Sequence, residues 1–179
     1  MNKKYIILII LIVLFAVVQT SAFPHMRILD NTPNIVMVLI CVFAYFRGPA
    51  EGLYTGLAGG LILDILVGSV LGFYGLIYMI SGFIMGCFPR QNIKDNLFIT
   101  LSLTMLLIFP VELIMYWLKK TSIFISTGME SAAIDTLRFI LNNVLPGVLY
   151  NCIMFIPIYY IIKKFDKYLN KDKKLMDSR

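Results

Sequence analysis

The chain is predicted to be an all-α polytopic membrane protein, a bundle of six helices with both termini in the cytoplasm. Three observations carry that prediction. The 179 residues are 59% hydrophobic and only 15% charged, against about 45–50% and about 25% in soluble domains. Apolar stretches of near-spanning length recur along the whole chain, and a spanning helix needs about 20 such residues. Finally, Lys and Arg fall on alternate connections, the asymmetry that orients membrane helices. The length leaves room for about six spans and for no second soluble domain.

Six apolar segments can be read in order: Tyr5–Ala22, Asn34–Phe46, Gly52–Val67, Val70–Cys87, Leu97–Leu118 and Leu137–Ile162, followed by a basic tail over 163–179. The first follows Lys3 and Lys4 and ends at Thr20-Ser21-Ala22, so it also has the outline of a secretory signal peptide. Its run from Tyr5 to Val18 is long for such a peptide, and we read it as a retained helix. Segments two and three are short and extend through their flanks. Pro146 and Pro157 predict kinks in the last segment.

With the N-terminus inside, the inner side holds Lys3, Lys4, Arg47, Arg90, Lys94 and the lysines of the tail. The outer connections hold Arg27, Lys119 and Lys120, with Arg138 at the start of the last segment. This places both termini inside and requires an even number of spans. The tail is a topology signal and interfacial anchor, or alternatively a site for anionic lipid or a cytoplasmic partner. Tyr116 and Trp117 at the outer boundary, and Tyr159 and Tyr160 at the inner one, have the spacing of an aromatic belt.

Glycine marks the centre of the chain. Gly52, Gly56 and Gly60 fall four residues apart, and Asp64 and Gly68 continue the series, which on a helix makes one stripe. Gly72, Gly75, Gly82 and Gly86 follow in the next segment. Small residues so spaced let membrane helices pack backbone to backbone. The expectation is a tight pair formed by segments three and four, with a carboxyl group on the packed side.

That carboxyl group, Asp64, is an ionisable residue in a spanning segment and so a functional candidate. Counted from Gly48 at about 1.5 Å per residue it lies roughly 24 Å along the helix, in the outer half of a core about 30 Å thick. It stands just before the short Gly68-Ser69 turn, where the free N–H groups of the next helix favour an anion. It either braces that turn or contacts a partner or ligand. Glu112 and Arg138 fall at the same level, and a buried acid and base in hydrocarbon pair. The sequence therefore predicts an outer polar cluster of Asp64, Glu112 and Arg138 with Asn142 and Asn143 nearby, serving as an internal brace, a docking surface or a small-molecule pocket.

Other chemistry has little support. Basic residues do not interleave with aromatics, so nucleic-acid binding is a poor reading. Cys41, Cys87 and Cys152 lack metal-site spacing and read as small buried hydrophobes. His25, the only histidine, reads as a loop residue. There is no HExxH or GxSxG motif, and Gly-Leu-Ile-Leu-Asp64 lacks the spacing of intramembrane aspartyl proteases. No enzyme, cofactor or metal site is expected.

Two stretches resemble the MreD family of rod shape-determining membrane proteins. One runs Gly48-Pro49-Ala50-Glu51-Gly52-Leu53-Tyr54-Thr55-Gly56-Leu57-Ala58-Gly59-Gly60-Leu61-Ile62-Leu63-Asp64. The other runs Gly68-Ser69-Val70-Leu71-Gly72-Phe73-Tyr74-Gly75-Leu76 and closes with Gly82-Phe83-Ile84-Met85-Gly86. Gly75 stands where the family commonly has a small residue such as alanine. Length and basic termini are also similar. The resemblance implies a non-catalytic scaffold of the cell-elongation (rod) complex in the bacterial cytoplasmic membrane. It would bind MreC and act with MreB, RodA and a class B penicillin-binding protein in making side-wall peptidoglycan. The alternative is a vitamin- or solute-binding subunit of an energy-coupling-factor transporter, a six-helix class to which MreD looks distantly related. The first helix of such subunits often carries alanines spaced for docking. Here Ile6–Val18 is bulky, with Ala16 alone.

Overall fold

The computed structural model describes residues 3–21, 33–67, 71–88, 96–127 and 144–177. Six helices occupy them: α1 (Lys3–Ser21), α2 (Ile35–Arg47), α3 (Pro49–Val67), α4 (Phe73–Cys87), α5 (Leu97–Thr127) and α6 (Leu145–Asp177). Three segments are long and apolar enough to cross a membrane: Pro49–Val67, Leu97–Met115 and Leu145–Tyr168. The shorter apolar helices Tyr5–Ser21, Ile35–Arg47 and Phe73–Cys87 complete the bundle.

The centre of the bundle is α2. Every residue from Ile35 to Phe46 is buried, and the segment has no polar face to turn outward. A helix that is hydrophobic all round belongs inside. It contacts α1, α3, α4, α5 and α6. The glycine pattern suggests a centre at segments three and four; those helices do pack most extensively on each other, but they flank α2.

The α2–α3 corner is made by Arg47-Gly48-Pro49. Gly48 has φ 100° and donates its N–H to the Ala44 carbonyl at 2.7 Å, a positive-φ conformation that glycine adopts without steric cost. Pro49 then opens α3, where a missing N–H costs nothing. Helix α3 accordingly starts three residues before the apolar run at Gly52.

Against each other, α3 and α4 run antiparallel with a four-residue step on both sides. A Cβ on Gly52 would strike the Gly82 carbonyl, one on Gly56 the Tyr78 carbonyl, one on Gly60 the Tyr74 carbonyl, and one on Gly86 the Gly48–Pro49 backbone. The contact is backbone on backbone. Gly75 is snug, with Leu61 at 3.2 Å from its Cβ position. Gly72 differs from the packing role its place in the series suggests. No atom of the described residues lies within 4 Å of its Cβ position, and its φ of 93° belongs to the turn before α4. Gly59 faces the other way, 2.8 Å from Ile40 Cδ1 and 3.4 Å from Ile12 Cγ2, and lets α3 close on α1 and α2.

Four further sequence readings change. Tyr159 is 1% exposed and stacks on Phe155 with ring centroids 5.7 Å apart, so it is a core residue; Tyr160, 60% exposed, faces outward. Cys87 is exposed and Cys152 half-buried, whereas Cys41 is buried. Pro146 falls in the first turn of α6, where it interrupts no hydrogen bond, leaving Pro157 as the internal proline. Finally, α5 and α6 continue through the residues taken as an outer loop and a tail, to Thr127 and Asp177. His25, Arg27 and Gly68 lie outside the described residues.

Candidate functional site

Polar side chains gather at the two ends of the central helix. At the α3–α4 turn, Asp64 is 1% exposed. Its Oδ2 accepts the Gly72 and Gly75 amides at 3.0 Å each, and its Oδ1 accepts the Tyr74 amide at 2.9 Å. These are donors at the start of α4 that have no partner within the helix. A carboxylate there gains three charge-assisted bonds and the favourable end of the helix dipole. Gly75 allows the approach, since a Cβ on it would sit 3.4 Å from Asp64 Oδ2.

Glu112 is half-buried on α5. It lies close enough to Tyr74 and Tyr78 to act on both electrostatically, and Asp64 acts on Tyr74 as well. Asp64 and Glu112 thus share a neighbourhood around Tyr74. Arg138, Asn142 and Asn143, the other members of the predicted cluster, lie outside the described residues.

A second polar group surrounds the start of α2. Asn34 caps the helix, its Oδ1 accepting the Met37 amide at 3.3 Å and the Tyr78 hydroxyl at 2.5 Å. Gln19 of α1 accepts the Val36 amide at 3.0 Å, and Asn151 of α6 accepts the Asn34 amide at 2.7 Å. Helices α1, α4 and α6 therefore each send a side chain to the end of α2. Those amides would otherwise be orphaned inside an apolar bundle, at a cost of several kcal/mol apiece on the order typical of hydrocarbon. Asn151 is fully buried, and its Nδ2 has no hydrogen-bond partner among the described residues.

The opposite end of α2 carries ions. Arg47 Nε lies 3.0 Å from Glu51 of α3, and its Nη1 lies 3.4 Å from Asp166 of α6. The Asp166 side chain is 8% exposed. One guanidinium thereby ties together three helices, a use for which its rigid fork of donors suits it better than a lysine. Beside it, Lys163 Nζ stands 5.7 Å from the Tyr159 ring centroid, within cation–π range.

Sequence reasoning overlooked the Gln19–Asn34–Tyr78–Asn151 group and the role of Asp166. An Asn directly before a long apolar run is a helix N-cap signal, so Asn34 was findable. A lone amide inside an apolar helix, as at Asn151, also marks a buried polar contact. Nothing local marks Asp166 among its lysine neighbours.

Chemically, both ends are braces. The Asp64 oxygens are engaged by amides, Arg47 is engaged by carboxylates, and no three His, Cys, Asp or Glu side chains converge among the described residues. A family model described as rod shape-determining protein MreD matches residues 1–171. Neither the curated proteins nor the solved structures contain a match to the chain.

Proposed function

The chain belongs to the MreD family of rod shape-determining proteins, and from that membership we propose that it acts as the membrane scaffold that holds MreC in the bacterial elongation complex. It is a multi-pass protein of the bacterial inner membrane with a general role in cell shape, and it is not an enzyme. MreC is its direct partner in this reading. MreB, RodA and a class B penicillin-binding protein belong to the same assembly, which makes side-wall peptidoglycan.

The observation that carries the proposal is the extent of the family match, residues 1–171 of 179. The form of the bundle supports it. A scaffold has to keep fixed relations between its outer faces, and the backbone-to-backbone α3–α4 seam with braces at both ends of α2 supplies rigidity. All six helices cross the bilayer in this proposal, with both termini cytoplasmic. The Arg47–Glu51–Asp166 end then lies inside, and the Asp64 and Asn34 end lies toward the outside.

Depleting the protein in its host tests the role. Rods should become round and widen, and re-expression should restore them. Unchanged rods after complete depletion would contradict it.

A second reading, a solute-binding subunit of an energy-coupling-factor type transporter, is favoured by one observation. The fully buried Asn151 has an Nδ2 without a partner among the described residues, beside the capped start of α2, and buried donors ordinarily have an acceptor. A polar solute or a water would supply one. The family match outweighs it.

A further inference from the structure

Helix α6 presents one continuous face outward. Leu149, Ile153, Ile156, Tyr160, Lys164 and Lys167 follow at steps of three and four residues, so they share one side of the helix, and all six are exposed. The face changes character once along its length. Its first three side chains are branched aliphatics, Tyr160 follows, and the last two are cations. The change falls inside Leu145–Tyr168, a segment long and apolar enough to cross a membrane, and the helix runs on to Asp177.

Charge is sorted between the two sides of this helix end. Asp166 is buried and turned into the bundle, its carboxylate 3.4 Å from Arg47. Lys163, half-buried at the edge of the outer face, stands beside the Tyr159 ring. Lys164 and Lys167 are exposed, and among the described residues no acid of α6 lies on their side. The outer face therefore keeps two positive charges one turn apart, level with the ionic end of the bundle.

Length and side-chain size decide between a lipid and a partner helix as occupant. Leu149 to Tyr160 is eleven residues, about 16 Å of helix, close to half of a hydrocarbon core about 30 Å thick. The face thus has the polarity profile of one lipid leaflet. A chain region comes first, then an interfacial tyrosine, then ammonium groups that extend on their stems to the headgroup level. It contains no Gly, Ala or Ser, the small residues through which a partner helix approaches closely. We propose that this face of α6 binds an anionic phospholipid, one acyl chain lying along Leu149, Ile153 and Ile156 and the phosphate between Lys164 and Lys167. Placing it in the inner leaflet rests on the orientation proposed above; the binding itself does not.

The test uses the full-length protein in mild detergent, titrated with phosphatidylglycerol or phosphatidylethanolamine and read by native mass spectrometry. Phosphatidylglycerol should be retained preferentially. Lys164→Gln and Lys167→Gln should each weaken that preference by about fivefold, the worth of one basic residue at an anionic surface, at an unchanged unfolding temperature. Arginine at both positions should preserve it. Lys174→Gln removes the same charge about 10 Å farther along the helix and should leave the preference at the wild-type level. Equal retention of the two lipids by the wild-type protein would overturn the proposal and leave the face to an acidic protein partner. A preference that survives loss of both Lys164 and Lys167 would also overturn it. So would an equal loss in Lys174→Gln, which would make the effect one of total charge. A rounded-cell phenotype bears only on the scaffold role and leaves this measurement independent.

Discussion

Gly52 and Gly82 face each other so closely that a Cβ placed on either would collide with the other's carbonyl oxygen. The same relation repeats one turn along at Gly56 against Tyr78, and again at Gly60 against Tyr74. Three successive turns of α3 thus meet the α4 backbone with no side chain between them. Such a seam cannot yield locally, because the obstructing atoms are main chain.

Gly60→Leu should therefore cost roughly 3 kcal/mol or more, at or beyond the upper end of ordinary overpacking. The protein should lose membrane abundance and unfold at lower temperature in detergent. Gly147→Ala is the matched control. No atom of the described residues lies within 4 Å of its Cβ position, so helix propensity should dominate and the change should be neutral or stabilising by up to about 1 kcal/mol. Equal behaviour of the two variants would contradict the seam.

Asp64→Ala removes the acceptor of three α4 amides at once and should destabilise by about 3–5 kcal/mol, the scale for leaving buried donors unpaired. Asp64→Asn should fall between, since its amide oxygen still accepts while its NH₂ group faces donors. Hydrogen exchange at Gly72, Tyr74 and Gly75 reads this directly, with faster exchange expected in both variants. Wild-type exchange rates in Asp64→Ala would show that the carboxylate does not hold the turn.

Tyr78→Phe deletes the hydroxyl donated to Asn34 and nothing of the packing. A loss of about 0.5–1.5 kcal/mol is expected. Asn151→Leu should cost more, because it strands the Asn34 amide at the start of the central helix. The reverse order of unfolding temperatures would refute the view that α2 is held by its cap.

Arg47 should couple to Asp166 across the bundle. In a double-mutant cycle of Arg47→Met with Asp166→Asn, a coupling of about 1 kcal/mol is expected for a pair that is mostly, but not wholly, screened from water. Additive losses would mean that the two charges act separately.

How legible all this was in the sequence differs residue by residue. Helix number and approximate limits followed from apolar runs, because that signal is local, whereas the start of α3 at Pro49 lies three residues before the run read from Gly52. The α3–α4 pairing was visible as glycine spacing, which encodes a face. Gly72 broke the pattern because its spacing fits a stripe while its φ serves a turn, and spacing carries no dihedral. The centrality of α2 was encoded in its lack of any polar residue before Arg47, a signal the glycine pattern drew attention from. Tyr159 sits where an aromatic belt residue would, and only the neighbouring Phe46 and Phe155 rings make it core. Pairings such as Arg47 with Asp166, 119 positions apart, depend on the finished bundle and leave no local trace.

Co-purification with the host's MreC from mild detergent, followed by mass spectrometry of the intact complex, tests the scaffold role most directly. A stable complex containing MreC is the predicted result. Absence of MreC, with a small molecule or a transporter coupling subunit bound instead, would contradict it and assign the chain to solute binding.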